Sequence, residues 1–189
     1  ACNNLGNVYH QLGKNKEAIN FHEKAIEIDP NYIDAYYCLG VVFTALNSNT
    51  QKELSCYKKV LELDPNHASA NYNLAHIFQK LANYPKAIKH YEKAIAISPN
   101  HTNAYNNLGT VFKETGEYQK SLDCYKNALS IDPNNALVNF NLGEILYTHG
   151  QNEEAIPLLR KVNTLKSRNL ILSSLYKLGD ETLFFREIG

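Results

Sequence analysis

No methionine and no tryptophan occur among the 189 residues, and arginine supplies only three of the 19 basic side chains. The missing methionine, in a chain that opens inside a helical pattern, points to a segment of a longer protein. No stretch is long and apolar enough to span a bilayer, and no secretory leader pattern opens the chain. Net charge is zero and the pI is about 7.2, so the chain lacks the basic balance that a nucleic-acid backbone or an anionic membrane calls for in its main partner. The four cysteines (Cys2, Cys38, Cys56 and Cys124) form no C-x-x-C pair. They read as reduced, partly buried thiols of a cytoplasmic or nucleocytoplasmic protein. There is no Gly-rich phosphate loop, no nucleophile elbow and no carboxylate pair separable from the surface pattern. The seven histidines form no i, i+4 helical pair with carboxylate support. No catalytic residue, metal site or cofactor is therefore expected. Asn100-His101-Thr102 matches a glycosylation sequon but falls in a turn between two repeating segments.

What the chain does contain is one motif, repeated. Between Thr102 and Asn135, apolar Ala104, Tyr105, Leu108, Val111 and Phe112 form one helical stripe, and Tyr118, Leu122, Tyr125, Ala128 and Leu129 form a second. Thr115-Gly116-Glu117 separates them, glycine tolerating the positive φ needed just past a helix end. Asp132-Pro133 closes the unit, since proline cannot continue a helix and drives its predecessor to extended backbone. The closing prolines Pro30, Pro65, Pro99 and Pro133 are 35, 34 and 34 residues apart. Leu-Gly or Leu-Ala steps recur at Leu5-Gly6, Leu39-Gly40, Leu74-Ala75, Leu108-Gly109 and Leu142-Gly143. Small residues Ala18, Ala87, Ser121 and Ala155 open the second helices and let the two helices approach. Pro85 and Pro157 read as lying near the starts of second helices, where a missing N–H costs little. A single pair of this kind cannot bury its own apolar faces and must stack on neighbours.

This pattern of Leu-Gly, aromatic, small residue and proline resembles the tetratricopeptide repeat. The resemblance covers residues 1–167 as five repeats (1–30, 31–65, 66–99, 100–133, 134–167), with 168–189 as a degenerate sixth repeat. That last segment reads either as a cap or as a surface docked on a following domain. The fold implied is an all-α, right-handed α-solenoid. Tyr36, Asn71, Tyr105 and Asn139 stand where the family has tryptophan. Repeat two carries an extra residue around 47–50 and Glu53 where a small residue is usual, which predicts looser packing of that pair.

The resemblance also implies that the first helix of each repeat lines a concave groove that holds a peptide or protein segment. The residue before each Leu-Gly or Leu-Ala step is Asn4, Cys38, Asn73, Asn107 and Asn141. A carboxamide offers two donors and an acceptor, so it can read the backbone of an extended chain. First helices roughly 10 Å apart would meet about every third residue of a chain that advances roughly 3.3 Å per residue. This ladder is similar to the one lining the repeats of O-GlcNAc transferase and SPINDLY-like proteins, and is broken at Cys38. Asparagine is also abundant here, 24 residues in all, so compositional filler is the competing reading. Around the break, Tyr37, Cys38, Val41, Tyr72 and His76 suggest either an apolar pocket for a partner side chain or ordinary packing between repeats. Lys80 and Lys113 are the groove-side cations. The chaperone-binding form of this family clamps a carboxylate with lysine just before the ladder residue. Asn3, Tyr37, Tyr72, Asn106 and Phe140 occupy that spot here, so an acidic chaperone tail is not an expected partner. The expected function is a non-catalytic scaffold for an extended partner segment: either the substrate-recognition array of an O-GlcNAc-transferase-like enzyme or a self-contained adaptor for a multiprotein complex.

Overall fold

The computed structural model describes residues 1–47 and 49–188. Among the described residues the chain is all-α, with helices α1 (Cys2–Gln11), α2 (Asn15–Ile28), α3 (Ile33–Leu46), α4 (Thr50–Leu63), α5 (Ala68–Lys80), α6 (Tyr84–Ile97), α7 (Thr102–Glu114), α8 (Tyr118–Ile131), α9 (Ala136–Thr148), α10 (Asn152–Arg160), α11 (Leu165–Leu178) and α12 (Glu181–Ile188). They form two compact units, Ala1–Pro99 and Asn100–Gly189. In each, successive helices pair as hairpins, and the second helix of one hairpin packs on the first helix of the next.

Local chemistry sets the hairpin ends. Asp29, Asp64 and Asp132, each before a proline, have extended backbone (φ −136°, −133° and −132°). Their carboxylates accept from the N–H two residues on, at 3.0 Å for Asn31 and Asn66 and 3.3 Å for Asn134. Side-chain caps start the helices: Asn83 accepts from the Lys86 N–H and Asn135 from the Val138 N–H. Gly13, Gly116 and Gly150 turn the chain between paired helices at φ near +72° to +79°, while repeat three places Ala82 there at φ +53°.

Inside each hairpin the small residue of the first helix meets a buried ring or branched side chain of the second. A Cβ added to Gly109 would lie 2.8 Å from the Tyr125 ring, and one on Gly40 would lie 2.7 Å from Tyr57. Tyr57, Tyr91 and Tyr125 are fully buried. Glu53, expected to loosen repeat two, does not hold α3 and α4 apart. It is 7% exposed, Thr44 Oγ1 donates to its carboxylate at 2.7 Å, and Tyr57 remains sealed. The inserted stretch of that repeat includes Ser48, which lies outside the described residues.

The end of the chain departs from the sequence reading in two ways. Pro157 lies inside α10 rather than at its start, so one helical N–H is missing there. The helix ends after nine residues, against 14 for α2, α4, α6 and α8. The residues so released start α11 early: Thr164 and Ser167 form a capping box, and α11 runs from Leu165 across the expected boundary at 167. With 14 residues α11 is a full-length first helix, although it opens the segment read as a degenerate repeat. Ile171 and Leu175 carry it into the core of its unit, against Leu142, Ile145, Leu146 and Leu159, and Leu183 and Phe184 of α12 pack on the same cluster.

Candidate functional site

The first unit presents its site residues on α1, α3 and α5. Asn4 is exposed and Asn73 half-buried, and neither makes a hydrogen bond among the described residues. The residue beside Asn4 is already committed: Asn3 is buried, its Oδ1 2.7 Å from His22 Nδ1. His22 occupies the position held by Tyr57, Tyr91 and Tyr125 in later hairpins. It is fully buried, and its Nε2 has no hydrogen-bond partner among the described residues. Burial, then the nearby His10, holds its pKa below the ordinary histidine value, so the ring is neutral at pH 7.

At the break in the ladder, Cys38 is half-buried. Burial raises its thiol pKa, with a hydrogen bond from Asn3 opposing. Tyr37 lies 5.0 Å from the His67 ring and 5.9 Å from Tyr57, and Tyr72 lies 5.8 Å from Tyr91, by ring centroids. These tyrosines are therefore packed against second helices and helix starts, and offer a half-buried flank rather than a free ring. His76 is half-buried, its pKa lowered by burial and then by Lys80.

The second unit arranges the same positions differently. Asn106 is buried and joins two ladder residues: its Nδ2 donates to Asn107 Oδ1 at 3.1 Å, and Asn141 Nδ2 donates to its Oδ1 at 2.9 Å. Asn107 and Asn141 thus share one face, on the adjacent helices α7 and α9. Lys113 is not a free cation. Its ammonium pairs with Glu144 Oε2 at 3.0 Å, while Lys166 of α11 pairs with Glu144 Oε1 at 2.7 Å. Burial works against the charge on Lys113, yet Glu144 holds its pKa above the ordinary lysine value. Burial likewise opposes the charge on Glu144, and the two lysines prevail and lower its pKa. Lys166 also sits 4.7 Å over the Phe140 ring, and Lys177 sits 3.9 Å over Tyr147.

Sequence reasoning missed Glu144, Lys166 and Asn106 as organisers of this face. A signal for Glu144 was present: it stands three residues past Asn141, the place Thr110 holds after Asn107. Lys166 carried no signal, because its helix starts where none was expected.

Among the described residues no group of three or more His, Cys, Asp or Glu is placed to hold a metal ion, and no helix is long and apolar enough to cross a membrane. Among the described residues the cysteines form no disulfide; Cys56 and Cys124 are buried, and burial pushes the Cys56 thiol up to about 11.

The tetratricopeptide-repeat family model matches residues 66–134 and 103–165, and a second TPR-repeat model matches 6–47. No curated protein sequence matches the chain. Solved structures do. The pilF protein of Pseudomonas aeruginosa superposes with a TM-score of 0.85 at 21% identity, covering 98% of this chain and 86% of that one. A MamA structure gives 0.76 at 24% identity, covering 93% and 96%. YrrB, described as a TPR protein with an unusual peptide-binding site, gives 0.71 at 20% identity, covering 98% and 89%. At these identities the likeness is one of fold.

Proposed function

This chain belongs to the tetratricopeptide repeat family, and from that premise we propose that it is a non-catalytic scaffold whose first helices bind an extended peptide or partner segment. The observation that carries this reading is the state of the ladder residues. Asn73 is half-buried and makes no hydrogen bond among the described residues, so its donors and its acceptor can serve a ligand. Asn107 and Asn141 are tied through Asn106 into a fixed orientation on one face. Pre-orientation lowers the ordering cost of binding. The peptide-binding site for which YrrB is described lies on a protein of the same fold, which supports the reading by analogy.

The narrower proposal is a substrate-recognition array like that of O-GlcNAc transferase and SPINDLY-like enzymes, with Asn4, Asn73, Asn107 and Asn141 reading backbone. The adaptor reading is favoured by repeat two, where Cys38 and the packed Tyr37 replace the ladder chemistry. The zero net charge supports a protein partner over a nucleic acid, and a buried Cys56 with its thiol pKa pushed up to about 11 suits a reducing compartment.

The test is a peptide array probed with the wild type and with an Asn73→Ala/Asn107→Ala/Asn141→Ala variant, circular dichroism confirming equal helicity. The array reading expects many unrelated extended peptides to bind the wild type and to be lost together in the variant. Binding of a single sequence, unchanged by the substitutions, supports the adaptor reading. Failure of the wild type to bind any peptide contradicts the scaffold reading at the first helices.

A further inference from the structure

Arginine is the scarcest basic residue of the chain, and all three copies converge on one place. Arg160 at the end of α10, Arg168 in the first turn of α11 and Arg186 in the last turn of α12 line a single cavity of about 560 Å³, with Asn163, Leu183 and Glu187. The 16 lysines are spread along the chain and none of them lines it, so the convergence is not the by-product of a generally basic surface.

Two of the three guanidinium groups brace α12. Arg160 Nη2 donates to Glu187 Oε2 at 3.1 Å, and Arg168 Nη2 donates to the backbone oxygens of Glu187 and Ile188 at 2.7 and 3.2 Å. Each of these contacts uses one terminal nitrogen of a group that carries five N–H donors in a rigid fork, so further donors of Arg160 and Arg168 remain. Arg186 makes no hydrogen bond among the described residues. Three guanidinium charges against the one carboxylate of Glu187 leave the cavity two positive charges in excess.

We propose that this cavity is a binding site for a phosphate monoester. The excess of two charges matches a dianion, and the arginine fork suits paired phosphate oxygens. At roughly 30 Å³ per water, the volume exceeds what a bare oxyanion fills. There is room for the carbon chain that carries the phosphate, with Leu183 as an apolar wall. The site lies among α10, α11 and α12, away from the asparagine positions, and does not depend on the first-helix reading.

Calorimetric titration of the whole chain at low ionic strength tests it, using inorganic phosphate, phosphoserine, and a short Gly–Ala peptide with one phosphoserine or the matching serine. Sodium chloride at equal ionic strength serves as reference. The expected result is saturable one-to-one binding of the phosphate-bearing probes and none of the serine peptide. Arg186→Ala, which removes no contact that braces α12, should weaken binding about tenfold or more, one charged hydrogen bond being worth about 1.5–3 kcal/mol. Arg186→Lys should lose less, and Asn73→Ala should change nothing. Phosphopeptide affinity well above that of inorganic phosphate assigns a phosphorylated partner; equal affinities assign a free phosphate. Heat no greater than with chloride, or unchanged affinity in both Arg186 variants, overturns the proposal.

Discussion

The two units solve the same problem with different chemistry. In the second, the first-helix face is internally tied: Asn141, Asn106 and Asn107 form a chain of carboxamides, and Lys113 and Lys166 share Glu144. In the first, Asn4 and Asn73 are untied, Asn3 is spent on a buried histidine, and Cys38 stands where a carboxamide would continue the row. Equivalent positions in a repeat are therefore not equivalent sites. Whether a residue is available to a ligand depends on the neighbour that stands one place before it and on the facing helix.

The comparison can be broken most forcefully in the second unit. Gly109→Ala puts a Cβ 2.8 Å from the Tyr125 ring and 3.2 Å from the Cys124 Cβ, both fixed in the core. It should cost about 1–3 kcal/mol in chemical denaturation and loosen α7 against α8. An unchanged midpoint would mean that this hairpin yields more readily than its packing implies.

His22 sharpens the comparison through pH. Its pKa is lowered in the folded state, so below about 6.5 the unfolded chain takes up the proton first. Stability should be flat above that pH and fall as pH drops below it. His22→Tyr, placing there the residue found at 57, 91 and 125, should reduce this slope, with His76, His90 and His101 keeping the remainder, and relieve a buried nitrogen without a partner among the described residues, worth about 1–3 kcal/mol less whatever Asn3 loses. Urea midpoints at pH 7 and pH 5 for both proteins decide it, and equal slopes would exclude His22 as the source.

Ala82→Gly removes a Cβ from left-handed backbone at φ +53° and should stabilise the α5–α6 hairpin by about 1 kcal/mol. A lower melting temperature for this variant would count against the strain. The smallest effect belongs to Glu144→Gln, expected to cost under about 1 kcal/mol because its lysine partners are partly solvated. Since the Glu144 pKa is lowered by folding, its contribution is present above the ordinary carboxylate range and lost as pH falls through the folded value. The same variant frees Lys113, so any anionic peptide that gains affinity on this change would show that the ion pair blocks the face.

Most of the fold was legible because the period is written in backbone chemistry. Pro30, Pro65, Pro99 and Pro133, with the aspartates before three of them, act through local geometry that a sequence displays directly. What stayed hidden depended on contacts between distant residues. Pro157 looked like a helix-start proline, and only the structure shows that α10 stops at Arg160 and that α11 takes in the three residues 165–167 before the expected boundary. The asparagine row was visible as a row. That Asn106 would tie two of its members, and that Glu144 would take up the lysine expected to be free, follows from side chains meeting across 31 to 35 residues.

The central claim is that the untied and pre-oriented asparagines read the backbone of a bound segment. An amide-to-ester scan of the tightest peptide from the array, alongside an alanine scan of its side chains, tests it directly. The account predicts about a fivefold to tenfold loss of affinity at esters spaced every third residue, near 1 kcal/mol each, with a flat alanine scan. A flat ester scan with one or two dominant side chains would contradict it and assign recognition to a dedicated partner sequence.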